Sequence, residues 1–585
     1  FFSDIYELSL GGPSLLTEQL LPALGIDLPG SLTFFATGQI SLTDGYTKLS
    51  ASQIRSSIVN TDFWSPRQGN RWNGMFKMTY NIKPGVRLQG AYQRSLTINQ
   101  NTRMLQITGA DTQIRPGFQF AFSNGFLDNA STYTHDSNLS YLKYTQTLSQ
   151  SAFYEVQVSR LFTRLRADAN GRKWRPTNVD SEFDPESIVT SPAEEFEGGE
   201  DFTYVLAGPG YVNNGGISTL WHDHFAEELT VKSSLTKFFG DRTNQIVAGF
   251  EFKFNDYQWI DITRPWIGAP IFIDENRTSE TFRVGETFDA WRVKPKRGAI
   301  FVTDKIRYNG LIANIGARLE YWAPGRYVDN AVNNALDPNT LSTIPTFVAQ
   351  DYLDSSTEIL GLRYKFRFLP KINVSFPVRE NQVLFFNYGH STRIPHPSYI
   401  YAGLDPFYQD QSDLPDLGNP NLDPEVDISY EIGFRNQITS NDAFNASAFW
   451  RDKYDFVTTQ SIRVQDVDGR NVSKAFRING DYARSRGVEL SYIKRYKDLI
   501  RGQLSFTYSR AEGLSSTNDD NLNAINANQN IGSNVETPLA WDRPFDIKGN
   551  ITFTHDRPQG LLGWSALNDF QIFLSGVWRS GDRKE

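Results

Sequence analysis

The sequence predicts an all-β fold, a transmembrane antiparallel up-and-down β-barrel, and three observations lead to this prediction. Segments in which apolar and polar residues alternate strictly recur roughly 17 to 19 times along the chain. Short turns and long polar connections follow each other in alternation. Although the mean hydropathy is -0.44, 14% of the residues are aromatic, and no run approaches the roughly 18 to 20 apolar residues that a membrane helix needs.

The alternating segments define the strands and their two faces. In residues 76–82 the even positions are apolar and the odd positions polar, and this alternation resumes at 86–92 after the turn Pro84-Gly85. Because consecutive side chains of a strand point to opposite faces, one face would meet lipid and the other a polar lumen. We therefore expect Val86, Leu88 and Tyr92 to face lipid, and Arg87, Gln89 and Gln93 to face the lumen.

The connections indicate which end of the barrel lies outside the cell. Tight turns such as Asn309-Gly310 and Ser440-Asn441 alternate with polar segments of about 25 to 55 residues, and outer-membrane barrels have short periplasmic turns and long extracellular loops. We therefore expect the tight turns to be periplasmic and the long segments extracellular. The long segments lie near residues 97–137, 165–221, 261–295, 323–356, 392–426 and 512–545.

Composition excludes several other kinds of site and partner. The chain has no cysteine, so neither a disulfide nor a thiolate metal site can form. Its formal net charge of -8 argues against nucleic acid as a partner, because phosphate binding needs a concentrated basic surface. We therefore expect no nucleic acid to bind.

The segment NPNLDPEVDISYEIGFR, residues 419–435, closes one long loop and enters a strand. Pro420 and Pro424 fix their own φ and favour extended conformations in the residues before them, which directs the chain into the strand. Alternation gives this strand an apolar outward face that would meet lipid, formed by Ile428, Tyr430, Ile432 and Phe434.

This segment resembles a signature of the TonB-dependent outer-membrane receptors, N-P-x-L-x-P-E followed by Y-E-x-G. The matching residues are Asn419, Pro420, Leu422, Pro424, Glu425, Tyr430, Glu431 and Gly433. Further stretches, such as YELSLGGP, LTFFATGQ and RINGDYARSRGVELSYIKR, resemble a subgroup of large receptors, the Oar-like receptors.

The resemblance implies a barrel of the 22-stranded receptor type. Because fewer strands are visible in the sequence, we expect residues 1–585 to be a partial outer-membrane β-barrel domain, with the plug domain and the last strands absent from this chain. The resemblance also implies a multi-pass protein of the bacterial outer membrane that is not an enzyme. It would be a TonB-dependent active transport receptor that binds an extracellular ligand and imports it.

The implied partners are outer-membrane lipid, an extracellular ligand, and a TonB-type energy-transducing complex that acts through the missing N-terminal part. The ligand would be a peptide, a protein, a glycan or a siderophore. Two alternative functions remain open. A passive porin or adhesin-like barrel would alternate in the same way, and a soluble secreted β-rich glycan-binding protein or enzyme would need a cleft, with paired carboxylates for cleavage.

The sequence contains no catalytic constellation, and we expect no catalytic, cofactor or metal site. His222-Asp223-His224 would place two imidazoles on one face of a strand, but the sequence shows no third ligand. The acidic segment 180–201 is either a solvated loop or a calcium-binding one. Six aromatic loop residues are candidates for ligand binding: Trp174, Trp266, Tyr399, Tyr401, Phe407 and Tyr408.

Overall fold

The structure is a computed structural model of the 585-residue chain. It describes residues 3–14, 16–26, 28–43, 69–100, 113–114, 131–169, 204–205, 220–263, 270–272, 280–283, 287–340, 342–404, 414, 416–465, 471–495, 500–526, 536–555 and 570–581.

In the described ranges, eighteen long strands form the wall of the molecule. They are β1 Ser3–Pro13, β2 Ser31–Thr43, β3 Gly69–Lys83, β4 Val86–Gln100, β5 Ser131–Ser149, β6 Ala152–Ala169, β7 Leu220–Phe239, β8 Asn244–Thr263, β9 Lys296–Tyr308, β10 Leu311–Ala323, β11 Leu362–Arg379, β12 Gln382–Arg393, β13 Glu425–Gln437, β14 Asp442–Gln465, β15 Asn471–Lys494, β16 Ile500–Gly513, β17 Phe545–His555 and β18 Phe570–Arg579.

Each long strand pairs antiparallel with the next one along the chain, from β1 to β18. This order is the up-and-down meander that the alternating pattern predicts, and the prediction of an all-β antiparallel barrel wall is confirmed. Shorter strands extend the sheet: Thr287–Val293 pairs with β8, Thr357–Ile359 with β11, Thr537–Pro538 with β16, and Asp416–Leu417 with β15 in parallel.

Helices lie in the connections between strands. A π-helical turn, Leu16–Leu20, leads into α1, Leu21–Ala23, between β1 and β2. The connection from β10 to β11 contains α2, Arg326–Leu336, and α3, Thr346–Ser355. The connection after β12 contains α4, Pro397–Tyr401, and that after β16 contains α5, Asp520–Asn526. In the part of the chain that the structure describes, no helix has the length and apolarity required to cross a membrane.

The two faces of the wall differ in chemistry. One face of β9, β10 and β11 displays exposed apolar side chains, including Ile300, Leu319 and Phe368. The opposite face has charged residues that reach across intervening strands: Arg297 on β9 donates to Glu228 on β7, although β8 lies between these strands. Contacts between non-adjacent strands form on the concave side of a curved sheet, so the charged face lines the lumen.

A row of ion pairs marks the upper edge of the apolar outer band. Arg94 and Arg160 each lie eight residues along their strand from the tight turn and pair with Asp136 and Glu227 at 2.9 and 2.5 Å. Eight residues of a tilted strand rise about 20 Å, close to the roughly 25 Å of such bands. Other pairs in the row are Arg164–Asp223, Arg292–Asp256, Arg484–Asp452 and Arg486–Glu512.

The predicted strand registers agree with these faces, with one correction. Tyr430 and Ile432 are exposed on the outer face of β13, as the sequence predicts. On β4, Tyr92 lies opposite Phe76 on the outer face, whereas Gln89 donates to Thr79 on the other face. Val86 shares the face of Leu88 and Tyr92 in the strand register, but neighbouring side chains cover it, and at 6% exposure it is not available to lipid as they are.

Candidate ligand-binding site

Long connections fold together at the upper end of the wall into a compact unit, which we call the cap. It consists of α2, α3, α4 and residues 417–424. These elements pack against wall residues such as Trp291, Trp322 and Phe476, and they form the main apolar core in the described residues. Trp322 lies opposite Arg297 in the register and therefore on the lumen side, so the cap packs on the inner side of the wall.

The sequence explains why α2 and α3 pack in this way. Val328 and Val332 lie four residues apart on one face of α2, and Val348 and Tyr352 do the same on α3. All four side chains are buried in the cap core. Before α2, Gly325 has a φ of 102°, a conformation that glycine adopts without strain, and it allows the chain to turn from β10 into the helix.

Tyr352 connects the helices to each other and to the wall. Its hydroxyl donates to Asp329 on α2 at 2.8 Å. Burial and the adjacent carboxylate raise the pKa of the Tyr352 hydroxyl well above its usual value, and burial also raises the pKa of Asp329. The Lys365 ammonium of β11 lies 5.8 Å from the centre of the Tyr352 ring, within the range of a cation–π contact.

The signature segment 419–425 joins the cap to the wall. The Asn419 side chain donates to the backbone oxygen of Arg477 at 2.8 Å and accepts from the backbone N–H of Asn421. Glu425 accepts from the backbone N–H of Val457 at 3.3 Å. Leu422 is fully buried in the cap core. These contacts give the signature a structural role, because its polar side chains satisfy backbone groups of the loop and of two neighbouring strands.

Helix α4 is held against the same segment by backbone hydrogen bonds. The N–H of Gly418 donates to Ala402 at 2.9 Å, and the N–H of Asn419 donates to Tyr399 at 2.8 Å. The approach is too close for a side chain at position 418, since a Cβ there would lie 2.8 Å from backbone atoms of Ile400 and Ala402.

The structure separates the predicted aromatic ligand-binding residues into three groups. Tyr401 is 1% exposed, and its hydroxyl donates to the Pro324 carbonyl at 2.9 Å, so it packs the cap core and does not present a surface to a ligand. Tyr399 is half-buried, with the Arg477 guanidinium 4.2 Å from its ring centre. Trp174, Trp266, Phe407 and Tyr408 lie outside the described residues, as does the acidic segment 180–201.

A cavity of about 290 Å³ lies between the cap and the inner wall, and charged side chains line it. Lys365 donates to Asp423 at 2.8 Å and to the Asn421 side chain at 2.7 Å. Arg318 donates to Glu320 at 2.6 Å, and Arg297 contacts Glu228 at 2.5 Å. Each of these cations faces a carboxylate, so the cavity offers both donors and acceptors to a polar ligand. Its lining contains five cationic and three carboxylate side chains and is therefore net positive.

This cavity was not apparent in the sequence, because its residues come from five strands, β8 to β12, from the end of α3 and from the distant signature segment. Lys365 and Asp423 are 58 positions apart and meet only because β11 and the signature segment lie side by side. Charged residues at alternate positions of β9 to β11 do predict a polar lumen face. The alternation does not show which of these charged residues contact one another.

The structure also brings together residues that the sequence left incomplete. His222 and His224 project from one face of β7, and Asp261 on β8 lies opposite His222 in the strand register. Ligand atoms of these three residues lie within 4.8 Å of one another. Asp261 is therefore the third group that sequence inspection did not find.

Comparison with known proteins agrees with this architecture. Residues 98–579 match the family model described as TonB dependent receptor-like, beta-barrel. No curated protein sequence matches the chain.

Two solved structures show the similarity of fold. The outer membrane transporter YddB from Escherichia coli aligns with a TM-score of 0.55 at 12% identity, over 94% of this chain and 61% of that chain. The FrpB iron transporter from Neisseria meningitidis (F3-3 variant) aligns with a TM-score of 0.51 at 9% identity, over 98% of this chain and 66% of that chain. The chain therefore spans about three fifths to two thirds of the length of these transporters.

Proposed function

The chain belongs to the TonB-dependent receptor-like β-barrel family, and from this membership we propose that it is the barrel of an active transport receptor. The family is not a family of enzymes, and its barrels reside in the bacterial outer membrane. In the proposed function, the receptor binds a ligand outside the cell and admits it through the lumen.

The cap and the charged inner wall are the observation that carries this proposal. The cap is a packed unit with its own core, so it can present side chains in fixed positions to a ligand that enters the mouth. Below it, the paired charges of the inner wall offer hydrogen-bond donors and acceptors along a polar path.

We assign initial ligand contact to aromatic residues of the long loops. Tyr399 is the described member of this group, and its ring is half-buried beside Arg477. Aromatic side chains offer both an apolar ring and a polar atom to a ligand. Trp174, Trp266, Phe407 and Tyr408 are proposed for the same role on their residue type and loop position. A peptide, protein, glycan or siderophore could each use such contacts, and the resemblance to Oar-like receptors favours a peptide or protein.

The energy for import would come from a TonB-type complex in the inner membrane. Its contact would be an N-terminal part of the protein outside residues 1–585, because the barrel family works together with a plug domain. The outer face of the wall, with exposed residues such as Ile300 and Phe368, would be the contact with outer-membrane lipid.

Dependence on the proton gradient tests this function against the passive alternatives. Cells with and without the full-length protein are given a mixture of labelled peptides, glycans and ferric siderophores, and the label inside the cells is measured before and after an uncoupler is added. We expect protein-dependent uptake of one class, abolished by the uncoupler. Uptake that continues after uncoupling would instead identify a passive porin. No difference between the two strains for any class would argue against import of these ligands.

A further inference from the structure

The upper inner wall holds a cluster of side chains that the transport function does not require. It consists of His222 and His224 on β7 and Asp261 on β8. The cluster faces the lumen, because His222 and His224 share their strand face with Glu228, which pairs with Arg297 and Lys253 on the concave side. It lies 15 to 17 residues along β7 from the turn after Phe239, above the apolar outer band.

The geometry of the three side chains suits a common ligand. Nδ1 of His222 lies 2.9 Å from Oδ1 of Asp261, and the three ligand atoms lie within 4.8 Å of one another. A metal ion with bonds of about 2.1 Å holds its ligand atoms at most about 4 Å apart. Side-chain rotations that move these atoms by about 1 Å therefore bring all three into coordination distance.

One imidazole of the cluster has a buried ring nitrogen that no described protein group satisfies. Nε2 of His224 is shielded from solvent and has no hydrogen-bond partner among the described residues, whereas Nδ1 of His222, equally shielded, lies 2.9 Å from the Asp261 carboxylate. A buried polar atom without a partner destabilises the fold, so the Nε2 atom needs an explanation. A bound cation that accepts the Nε2 lone pair provides one, and the same cation would lie between His222 and Asp261.

The surroundings hold the cluster in place. The Trp259 ring stacks on the His224 ring, with centroids 3.6 Å apart and an angle of 13° between the planes. Trp291 stacks in turn on Trp259 at 5.8 Å. Rigid aromatic packing around a metal ligand fixes its orientation and limits the access of water.

From these observations we propose that His222, His224 and Asp261 bind one divalent first-row transition-metal ion, with Zn²⁺ as the best fit. Two imidazoles and a carboxylate are a common zinc ligand set, and they leave a fourth position for water. Mg²⁺ and Ca²⁺ prefer oxygen ligands and do not suit this set. The site does not depend on which ligand the receptor imports.

Cobalt titration of the full-length receptor tests the proposal. The protein is purified in detergent without a polyhistidine tag, treated with EDTA and titrated with Co²⁺, and visible absorption reports coordination by nitrogen and oxygen. We expect one Co²⁺ per chain, displaced by one equivalent of Zn²⁺. His224→Gln and Asp261→Asn should each raise the Kd at least tenfold.

The control is His390→Gln, because His390 contacts Tyr388 at 2.7 Å and does not belong to the cluster. This variant should bind as the wild type does. Heat-modifiable migration in gels shows that each variant is folded. Absence of stoichiometric Co²⁺ binding, or equal affinity in folded wild type and folded His224→Gln, would overturn the proposal.

Tryptophan fluorescence gives a second readout that does not require the ligand variants. Because Trp259 stacks on His224, Co²⁺ at the site should quench its emission, and Trp259→Phe should reduce the amplitude of the quenching at saturating Co²⁺. Quenching that is the same in Trp259→Phe and wild type would place the bound ion elsewhere and contradict the site.

Discussion

The barrel wall and the cap are stabilised in different ways. The wall has almost no enclosed core in its lower half: backbone ladders join its strands, and its side chains alternate between a lipid face and a lumen face. The cap has a small globular core, in which Val328, Tyr352 and Tyr401 are almost fully buried. The apolar outer face of the wall thus depends on a membrane to cover it, whereas the apolar side chains of the cap are buried within its own core.

This difference predicts which substitutions each region tolerates. The wall should be sensitive to charge on its outer face and tolerant of it on its inner face. The cap should be sensitive to lost volume and to lost hydrogen bonds, as soluble cores are. The following predictions test this comparison, in order of decreasing effect.

The largest effect concerns sidedness. An epitope tag inserted after Asn339, in the turn between α2 and α3, should be labelled fully on intact cells. A tag after Ser440, in the tight turn between β13 and β14, should be labelled only after the outer membrane is permeabilised. Surface labelling at Ser440 but not at Asn339 would reverse the orientation assigned to the cap and the wall.

The next effect is the loss of a large side chain in the cap core. Tyr352→Ala should destabilise the cap by about 3 to 5 kcal/mol, since it leaves a cavity and removes the hydrogen bond to Asp329. Hydrogen exchange of peptides from 326–355 measures this change. Tyr352→Phe keeps the volume and should cost about 1 to 3 kcal/mol. If peptides from β13 lose as much protection as those from the cap, the two regions are not independent.

A charge on the lipid face tests the wall. Ile432→Arg, in the middle of the outer face of β13, should destabilise folding into lipid vesicles by about 2 to 4 kcal/mol. Ser429→Arg, on the lumen face of the same strand, is the matched control and should cost far less. Denaturant titration in vesicles measures both, and similar costs for the two variants would contradict the assigned register.

The smallest effect is a pH dependence within the cap. Burial raises the pKa of Asp329, so the folded cap binds a proton more readily than the unfolded segment does. The free energy needed to open α2 and α3 should therefore rise as the pH falls from 7 towards the usual carboxyl range. This stabilisation of the folded cap should be lost again as the pH rises through the raised pKa of Asp329. Hydrogen exchange at several pH values measures this, and Asp329→Asn should flatten the profile. If the wild-type cap opened more readily at the lower pH and the Asp329→Asn cap did not, the predicted direction of the pH dependence would be wrong.

The sequence by itself determined the wall. A period of two is a local property, so residues such as Tyr430 and Ile432 could be assigned to the outer face without knowledge of any partner strand. Turn residues and connection lengths are also local, and they predicted the meander and roughly 17 to 19 strands, a range that includes the eighteen long strands of the described residues. The signature residues Asn419 and Pro420 were recognised as the end of a loop for the same reason.

The tertiary structure alone decided the contents of the cap and the inner wall. Tyr399 and Tyr401 have the same residue type and lie two positions apart, yet one is half-buried beside Arg477 and the other is enclosed in the core. His222 and Asp261 are 39 positions apart and meet because the register of β7 and β8 places them opposite each other. Alternation tells which face a side chain occupies, but the register between strands and the folding of loops decide which side chains meet on that face.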